Sequence, residues 1–343
     1  MAAQSHKGRS FRLRVLTVHL NQIGDLLFSL PALKCIRDYS SDVRLTTMVR
    51  ANCVPLMQLT ELADEIIIRV KGQGAEKRQL RREIRNRGFD KAITFSRSVD
   101  CLSLVRATKA PTRAGFYRFG VGLALNAAIP LRVPPSTENN LRLVEKLGFK
   151  ITKRDYVGLV RPDAQAKASM MEILADSGIN SCDRLVVLSP GASERRSVKN
   201  WTDEGFAQLA FALQSRYGVK LCVVGKEHHN SLLARADGRI LDLIGKTDLR
   251  QLAAMLERAN LVVGVDSGVI HLAAAVGTSV VGLYGPSDPA TTGLQGEGHA
   301  IIRSDIDCSP CHKSSCRFNG RCMSEIKIAD VIDAASERLE AQA

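Results

Sequence analysis

The feature that most constrains this chain is an alternation, run through twice, of short β-branched segments and helical ones, with a glycine or an acid near the end of many apolar segments. Arg14–Leu20 (RVLTVHL) reads as a buried strand and Asn21–Asp25 as a turn. Leu26–Arg37 reads as a helix, with Leu26, Leu30 and Leu33 on one face and Pro31 near enough to its start to be tolerated. Strands are expected at Val43–Val49, Ile66–Val70 and Lys91–Phe95, with helices at Pro55–Ala63 and Glu76–Arg87 between them. The second half repeats the pattern, with strands at Leu185–Leu188, Lys220–Val224, Ile240–Leu243, Leu261–Val265 and Ser279–Leu283. Its helices are expected at Asp203–Tyr217, Asp248–Ala259 and around His271–Val276, with a last one near Ala329–Ala341. Pro130, Pro134, Pro135 and Pro162 punctuate the stretch from residue 128 to 162. Such alternation predicts parallel sheets covered by helices on both faces. The fold class is therefore α/β, with two doubly wound domains, 1–162 and 163–328, and a C-terminal helix in 329–343. Ligands of such sheets bind beyond the carboxyl ends of the strands, where helix N-termini offer free N–H groups. The turns that end strands are where chemistry is to be sought.

Composition narrows the class further. With 343 residues, 45% hydrophobic and 24% charged, the chain supports two cores and is neither disordered nor fibrous. No apolar run approaches the ~18–20 residues that cross a bilayer. Met1–Arg14 is basic and polar, without the apolar stretch of a secretion signal, so a cytoplasmic location is expected. Charge is unevenly placed: residues 1–165 hold 29 Lys and Arg against 14 Asp and Glu, a net of +15, while residues 166–343 hold 19 against 21, a net of −2. An excess confined to one half points to an anionic partner for that half: nucleic acid, a membrane surface or a phosphorylated substrate. The charged helix bearing Arg78, Arg81, Arg82, Arg85 and Arg87 either faces such phosphates or is simply a solvated face.

Four strand-end turns carry polar candidates. Gly24–Asp25 follows the first strand, and Asp25 is either a helix cap or a general base. Ser189–Trp201 (SPGASERRSVKNW) places Pro190, Gly191, Ala192 and Ser193 in a small-residue turn, with Lys199 just ahead of the next helix. A basic side chain beside free N–H groups can hold a diphosphate without a metal, although a solvated basic loop has the same composition. Val265–His271 (VDSGVIH) sets Asp266, Ser267 and Gly268 at a strand end, with His271 one helical turn on. There the N–H groups and the Ser267 hydroxyl suit phosphate oxygens, while His271 is equally readable as a satisfied core histidine. Gly285–Gly293 (GPSDPATTG) is a second polar glycine turn on the next strand. The strings of a Walker A loop and of a dinucleotide-binding fingerprint do not occur, which argues against both classes.

Of nine cysteines, four lie between residues 308 and 322, as Cys308-x2-Cys311-x4-Cys316-x5-Cys322. That density suits a structural zinc site, or an iron–sulfur cluster from ligand type alone. Disulfides are disfavoured in a cytoplasmic protein.

The segments QIGDLLFSLPALKCIR (22–37), PGAS to VKNW (190–201), VDSGVIHLAAAVGTSVVGLYGPSDPATTG (265–293) and CSPC (308–311) together resemble glycosyltransferase family 9, which contains the ADP-heptose:lipopolysaccharide heptosyltransferases. The resemblance runs through almost the whole chain. It implies a GT-B fold, two Rossmann-like domains facing a cleft, with the acceptor on the N-terminal domain and the nucleotide sugar on the C-terminal one. It implies an inverting, metal-independent transfer of heptose from ADP-heptose to the lipopolysaccharide inner core, with no cofactor for catalysis. Asp25 matches the family's catalytic aspartate and Lys199 its donor-phosphate lysine. Asp266, Ser267, Gly268 and His271 match its D-[ST]-G-x-x-H element, and Ser193 lies in the phosphate turn. Glu227 matches an acid that holds the donor ribose. The loop Glu194–Val198 is more basic than the family pattern, and the cysteine cluster occurs in many members but not all. A phosphorylated acceptor would suit the basic half, with peripheral contact at the inner membrane surface and no nucleic acid. The alternatives are another nucleotide sugar and glycan acceptor, a nucleotide-sugar epimerase of similar shape, or a zinc-stabilised nucleic-acid-binding protein. The last leaves the 265–293 motif unexplained and has few aromatics for base stacking.

Overall fold

Runs of Val, Leu and Ile with no polar alternation are stable only when both faces of a strand are covered, which is the situation inside a parallel sheet. The computed structural model of the chain describes residues 13–20, 22–69, 74–117, 124–132 and 135–342. The expected positions of Asn21, Val70 and Pro134 lie outside the described residues, as does the whole stretch ahead of Leu13. By its contacts the chain divides into two compact units, Met1–Val133 with Thr137–Arg154, and Pro134–Ser136 with Asp155–Ala343.

In the first unit, β1 (Leu13–His19), β2 (Val43–Val49), β3 (Glu65–Ile68), β4 (Lys91–Thr94), β5 (Thr112–Phe116) and β6 (Ala127–Ile129) form one parallel sheet in the order β3-β2-β1-β4-β5-β6. In the second, β7 (Leu185–Ser189), β8 (Lys220–Val223), β9 (Ile240–Asp242), β10 (Leu261–Val265), β11 (Val280–Leu283) and β12 (Ala300–Ile302) are ordered β12-β11-β10-β7-β8-β9. Numbered within its own unit, the second order is the first again. It is the order of doubly wound nucleotide-binding sheets, whose ligand crevice opens where the winding reverses. The reversal lies between β1 and β4 in one unit and between β7 and β10 in the other.

At the second reversal the strands pack unusually close. A Cβ on Gly264 of β10 would stand 2.8 Å from both Cβ and the carbonyl oxygen of Ser189 on β7, so only glycine fits there. The last helix, Ile328–Glu340, is not a separate appendage: Val331, Ala335 and Leu339 are buried in the second unit's core with Phe206, Leu209 and Val263.

Several elements differ from expectation for local reasons. The single helix expected over 26–37 is two, Ile23–Leu27 and Leu30–Arg37. Pro31 has no N–H and its ring would clash with the carbonyl four residues back, so it sits in the first turn of the second helix. The carbonyl of Phe28 at the break accepts instead from Asn140 Nδ2, at 3.0 Å. The edge strands β6 and β12 and the inner strand β5 had no sequence signal: β6 and β12 are three residues long, and β5 holds a glycine at 115. Helices Val99–Ala107, Ser136–Lys146 and Ala164–Asp176 were likewise unanticipated, two of them in or beside the proline-punctuated stretch.

Candidate active site

In the second unit the loop after β7 is built to hold a lysine over the end of β10. Trp201 is buried, meets Phe206 edge-on at 5.1 Å, and lies against Gly205, where a Cβ would come within 2.6 Å of the indole. Thr202 caps the following helix by accepting from the Gly205 N–H at 3.0 Å. Asn200 Oδ1 accepts from the Ala192 N–H at 2.9 Å and closes the small-residue turn. Between these anchors Lys199 extends its Nζ to 2.6 Å from Asp266 Oδ2 and 3.4 Å from the Asp266 carbonyl.

Asp266 is buried, and its second oxygen takes up His271 Nε2 at 3.2 Å. A carboxylate can only accept, so His271 carries its proton on Nε2 in the neutral ring. Nδ1 then accepts from the Tyr156 hydroxyl at 3.0 Å, whose oxygen accepts in turn from the Gln295 N–H at 3.3 Å. Burial opposes ionisation of Asp266, but the hydrogen bond from His271 and the charge of Lys199 outweigh it and hold the carboxyl well below its usual range. Burial pushes the Tyr156 phenol up, so it stays a hydroxyl.

The same unit holds buried polar atoms with no partner. Ser267 occupies the N-cap position of the helix Gly268–Val276 but makes no side-chain cap, and its Oγ is buried and unpaired. Ser189 Oγ at the end of β7, and Glu227 Oε1 and His229 Nε2 in the segment after β8, are in the same state. The first N–H groups of the Gly268–Val276 helix have no intrahelical acceptor by construction. Such a set is costly in an empty protein and suits one that binds a polar ligand. Ser193 is exposed at the start of the short 3₁₀ segment Glu194–Lys199. In the Gly285–Gly293 turn, Asp288 caps the helix Pro289–Thr292.

In the first unit Asp25 lies in the short helix Ile23–Leu27, exposed, with Oδ2 3.4 Å from the Gln22 N–H. That contact is long for a cap. Nearby in sequence, His19 ends β1 and was not singled out by any motif. Its Nδ1 is 3.0 Å from Ser29 Oγ, and its ring stacks on Phe95. The Ser29 hydroxyl donates to the Leu26 carbonyl at 2.7 Å, so the serine oxygen accepts from His19 Nδ1–H. Burial lowers His19 to about 3.

The arginine helix, Ala75–Asn86, buries Leu80 and Ile84. Arg78, Arg82 and Arg85 are exposed, whereas Arg81 donates to Ser103 Oγ at 3.0 Å and Arg87, just past the helix, pairs with Glu65 and Glu83. The cysteine loop is stitched to the turn after β11: Cys311 and His312 N–H groups donate to the Pro286 carbonyl, and Ser309 Oγ to that of Gly285. All four cysteines are free thiols. Cys322 is buried against Gly285, and Cys308 is exposed. Among the described residues no three His, Cys, Asp or Glu side chains are gathered in metal-holding geometry.

A sequence model of glycosyltransferase family 9 (heptosyltransferase) matches residues 77–321. The chain belongs to that family. It is a glycosyltransferase, and its two doubly wound units are those of the GT-B fold. The chain is 27% identical over 310 residues to lipopolysaccharide heptosyltransferase 2 of Salmonella typhimurium, covering 85% of this chain and 88% of that one. Among solved structures it is similar to a family 9 glycosyltransferase from Veillonella parvula (TM-score 0.83, 22% identity, 96% and 98% of the two chains). It is also similar to E. coli ADP-heptose lps heptosyltransferase II (TM-score 0.77, 21% identity, 96% and 99%). A third likeness is to TibC, an iron-containing dodecameric glycosyltransferase of enterotoxigenic E. coli (TM-score 0.62, 15% identity, 97% and 77%). Among the described residues no helix is long and apolar enough to cross a membrane.

The burial of His19 has a measurable consequence in this family member. The folded ring stays neutral down to about pH 3, whereas an unfolded chain takes up the proton below about 6.5. Unfolding therefore binds a proton between these values. The His19 contribution to stability is fully present above about pH 6.5 and is lost as the pH falls, by about 1.4 kcal/mol per pH unit. Urea melts between pH 6.5 and 4.5 are expected to show that slope in the native chain and to lose it in His19→Gln. An unchanged slope in the variant would mean that His19 already carries a proton in the fold.

Proposed function

We propose that the protein transfers a heptosyl group from ADP-heptose to a hydroxyl of the lipopolysaccharide inner core, with inversion and without a catalytic metal. The observation that carries this reading is the chain Lys199–Asp266–His271–Tyr156 at the winding reversal of the second sheet, with Ser267 and a helix N-terminus unpaired beside it. In this reading the second unit takes the donor and the first the acceptor.

The diphosphate gains negative charge as the glycosidic bond breaks. Lys199, the Ser267 hydroxyl and the N–H groups at the start of Gly268–Val276 are cationic or donating groups fixed before the reaction, which is how such charge is stabilised without reorganisation. Gly268 leaves room for backbone approach, and Ser193 supplies a further hydroxyl in the turn. Asp266 does not face phosphate. It holds Lys199, and His271 holds Asp266, so His271 is a positioning residue with both ring nitrogens engaged. Glu227 Oε1, an unpaired buried carboxylate oxygen, suits a ribose hydroxyl. Asp25 is the general base: an exposed carboxylate that takes the proton of the acceptor hydroxyl as it attacks the anomeric carbon. The net +15 of residues 1–165 favours a phosphorylated acceptor at the cytoplasmic face of the inner membrane, with Arg78, Arg82 and Arg85 as solvent-facing cations and Arg81 partly engaged with Ser103.

The direct test is a donor screen with purified protein: ADP-heptose against UDP- and GDP-sugars, reading nucleotide release with and without a lipopolysaccharide acceptor. Acceptor-dependent release from ADP-heptose is expected. Asp25→Asn is expected to lower turnover by about two to four orders of magnitude with ADP affinity unchanged. Near-normal turnover in that variant would remove Asp25 from the reaction, and release from another donor alone would redirect the substrate assignment.

Cys308, Cys311, Cys316 and Cys322 are proposed to hold a structural zinc or iron. Four thiols are the donor type such a metal takes, and the N–H groups of Gly320 and Phe318 lower the Cys316 thiol, but burial raises that of Cys322 and the described side chains are not gathered around one point. Bound metal would cross-link the loop and contribute stability, with no part in the transfer. Metal analysis is expected to find about one zinc or iron per chain. Cys311→Ser should lose it, melt at lower temperature and retain transfer. Absence of both metals with four titratable thiols would refute the site.

A further inference from the structure

The carboxyl edge of β1 and β2 in the first unit carries two buried polar atoms that the transfer does not yet use. The parallel register sets His19, the last residue of β1, beside Val49, the last of β2, so Arg50 is the next residue along that edge. The Arg50 carbonyl accepts from the Cys53 N–H at 2.9 Å and opens a short 3₁₀ turn, which fixes the point from which the side chain leaves. Arg50 is half-buried, and its Nε–H is buried without a partner. His19 Nε2 is also buried without a partner. With Nδ1–H given to Ser29, that nitrogen presents a lone pair with no donor.

Arg50 shares its surroundings with the proposed base. Cys53 is buried, and burial pushes its thiol up; of the charges that act on it, Arg50 lowers it and Asp25 raises it. One sulfur atom thus feels both the guanidinium and the carboxylate. A cation with an open donor calls for an anion, and Nε with its neighbouring nitrogen forms a fork that fits two anionic oxygens. The His19 lone pair calls for a hydroxyl. A neutral sugar supplies only the hydroxyl, and a fully ionised phosphate only the anion. A sugar that bears a carboxylate or a phosphate supplies both.

We infer that Arg50 recognises the reacting sugar of the acceptor, its guanidinium holding an anionic group of that sugar beside Asp25. This rests on the reading of Asp25 as the base of an acceptor site. Arg50 is thus a specificity residue, distinct from the exposed arginines of Ala75–Asn86.

Initial-rate kinetics of the full chain with ADP-heptose and three forms of a lipopolysaccharide core acceptor (intact, dephosphorylated and carboxyl-reduced) test this and tell the two anions apart. The wild-type protein is expected to show an acceptor KM about tenfold or more higher for one of the two trimmed forms, the loss of a charged hydrogen bond. Arg50→Gln is expected to raise KM for the intact acceptor by a similar factor, to leave the donor KM unchanged, and to stop distinguishing the intact acceptor from that trimmed form. Arg50→Lys, which keeps the charge without the fork, is expected to restore part of the preference. The inference fails if the wild-type protein accepts all three forms alike, a measurement that needs no variant. It fails too if Arg50→Gln keeps the preference, or if it raises donor and acceptor KM together, as a merely structural defect would. In each case acceptor-dependent transfer by the wild-type protein leaves the reading of Asp25 standing. Its absence with every form would overturn that reading and the inference with it.

Discussion

The ion pair between Lys199 and Asp266, 2.6 Å long with side chains 16% and 7% exposed, is the contact around which the second unit's site is arranged. Taking both charges out of water is expensive, and the attraction between them offsets the cost only when the geometry is good and the remaining valences are filled. Here they are. The other carboxylate oxygen is met by His271, and the far side of that ring by Tyr156, which Gln295 steadies. Losing one member would strand a buried charge or donor, so the four side chains stand or fall together. The consequence for chemistry is a lysine whose position is set before any ligand arrives.

Backbone packing makes that contact possible. Lys199 belongs to the loop after β7 and Asp266 to the end of β10, so the pair spans the winding reversal of the sheet. The two strands approach closely because Gly264 has no side chain to hold them apart. Trp201, seated on Gly205, fixes the far end of the loop in the hydrophobic core. The ion pair is therefore held from both ends by apolar packing, and Ser267, the residue after Asp266, and Ser189, across from Gly264, keep buried hydroxyls without a partner. The first unit uses the same sheet order for a different end. Its reversal presents an exposed carboxylate at Asp25 and a buried neutral imidazole at His19.

Much of this was legible in the residues. The central strands announced themselves because uninterrupted β-branched runs such as LVVLS and LVVGV have no stable alternative to a doubly covered sheet; Asp25 and Asp266 stood out by following strands and Lys199 by standing just ahead of a helix. What escaped notice lacked any local pattern. β6 and β12 are three residues each and exist because a neighbour pairs with them. Tyr156 sits in a stretch that reads as linker, and its place under His271 is set by contacts 115 residues apart. The setting of His229 depends on Asp203 and on the close approach of Gly191, neither of which is visible from the string EHHN. For His271 the sequence left two readings open, a partner for phosphate and a satisfied core histidine. Its position one turn after Asp266 suggested a hand for phosphate, but a ring with both nitrogens satisfied inside the protein supports the hand that is already there.

The account turns on Lys199 meeting a diphosphate rather than merely closing a buried pair. Calorimetric titration of ADP and adenosine into the native protein and into Lys199→Met tests this most directly. ADP is predicted to bind the native protein at least tenfold more tightly than adenosine, the contribution of a charged hydrogen bond. In the methionine variant that margin is predicted to collapse while adenosine affinity stays as it was. A variant that binds ADP as tightly as the native protein, or that loses adenosine and ADP in equal measure, would contradict the assignment of this site to the donor phosphates.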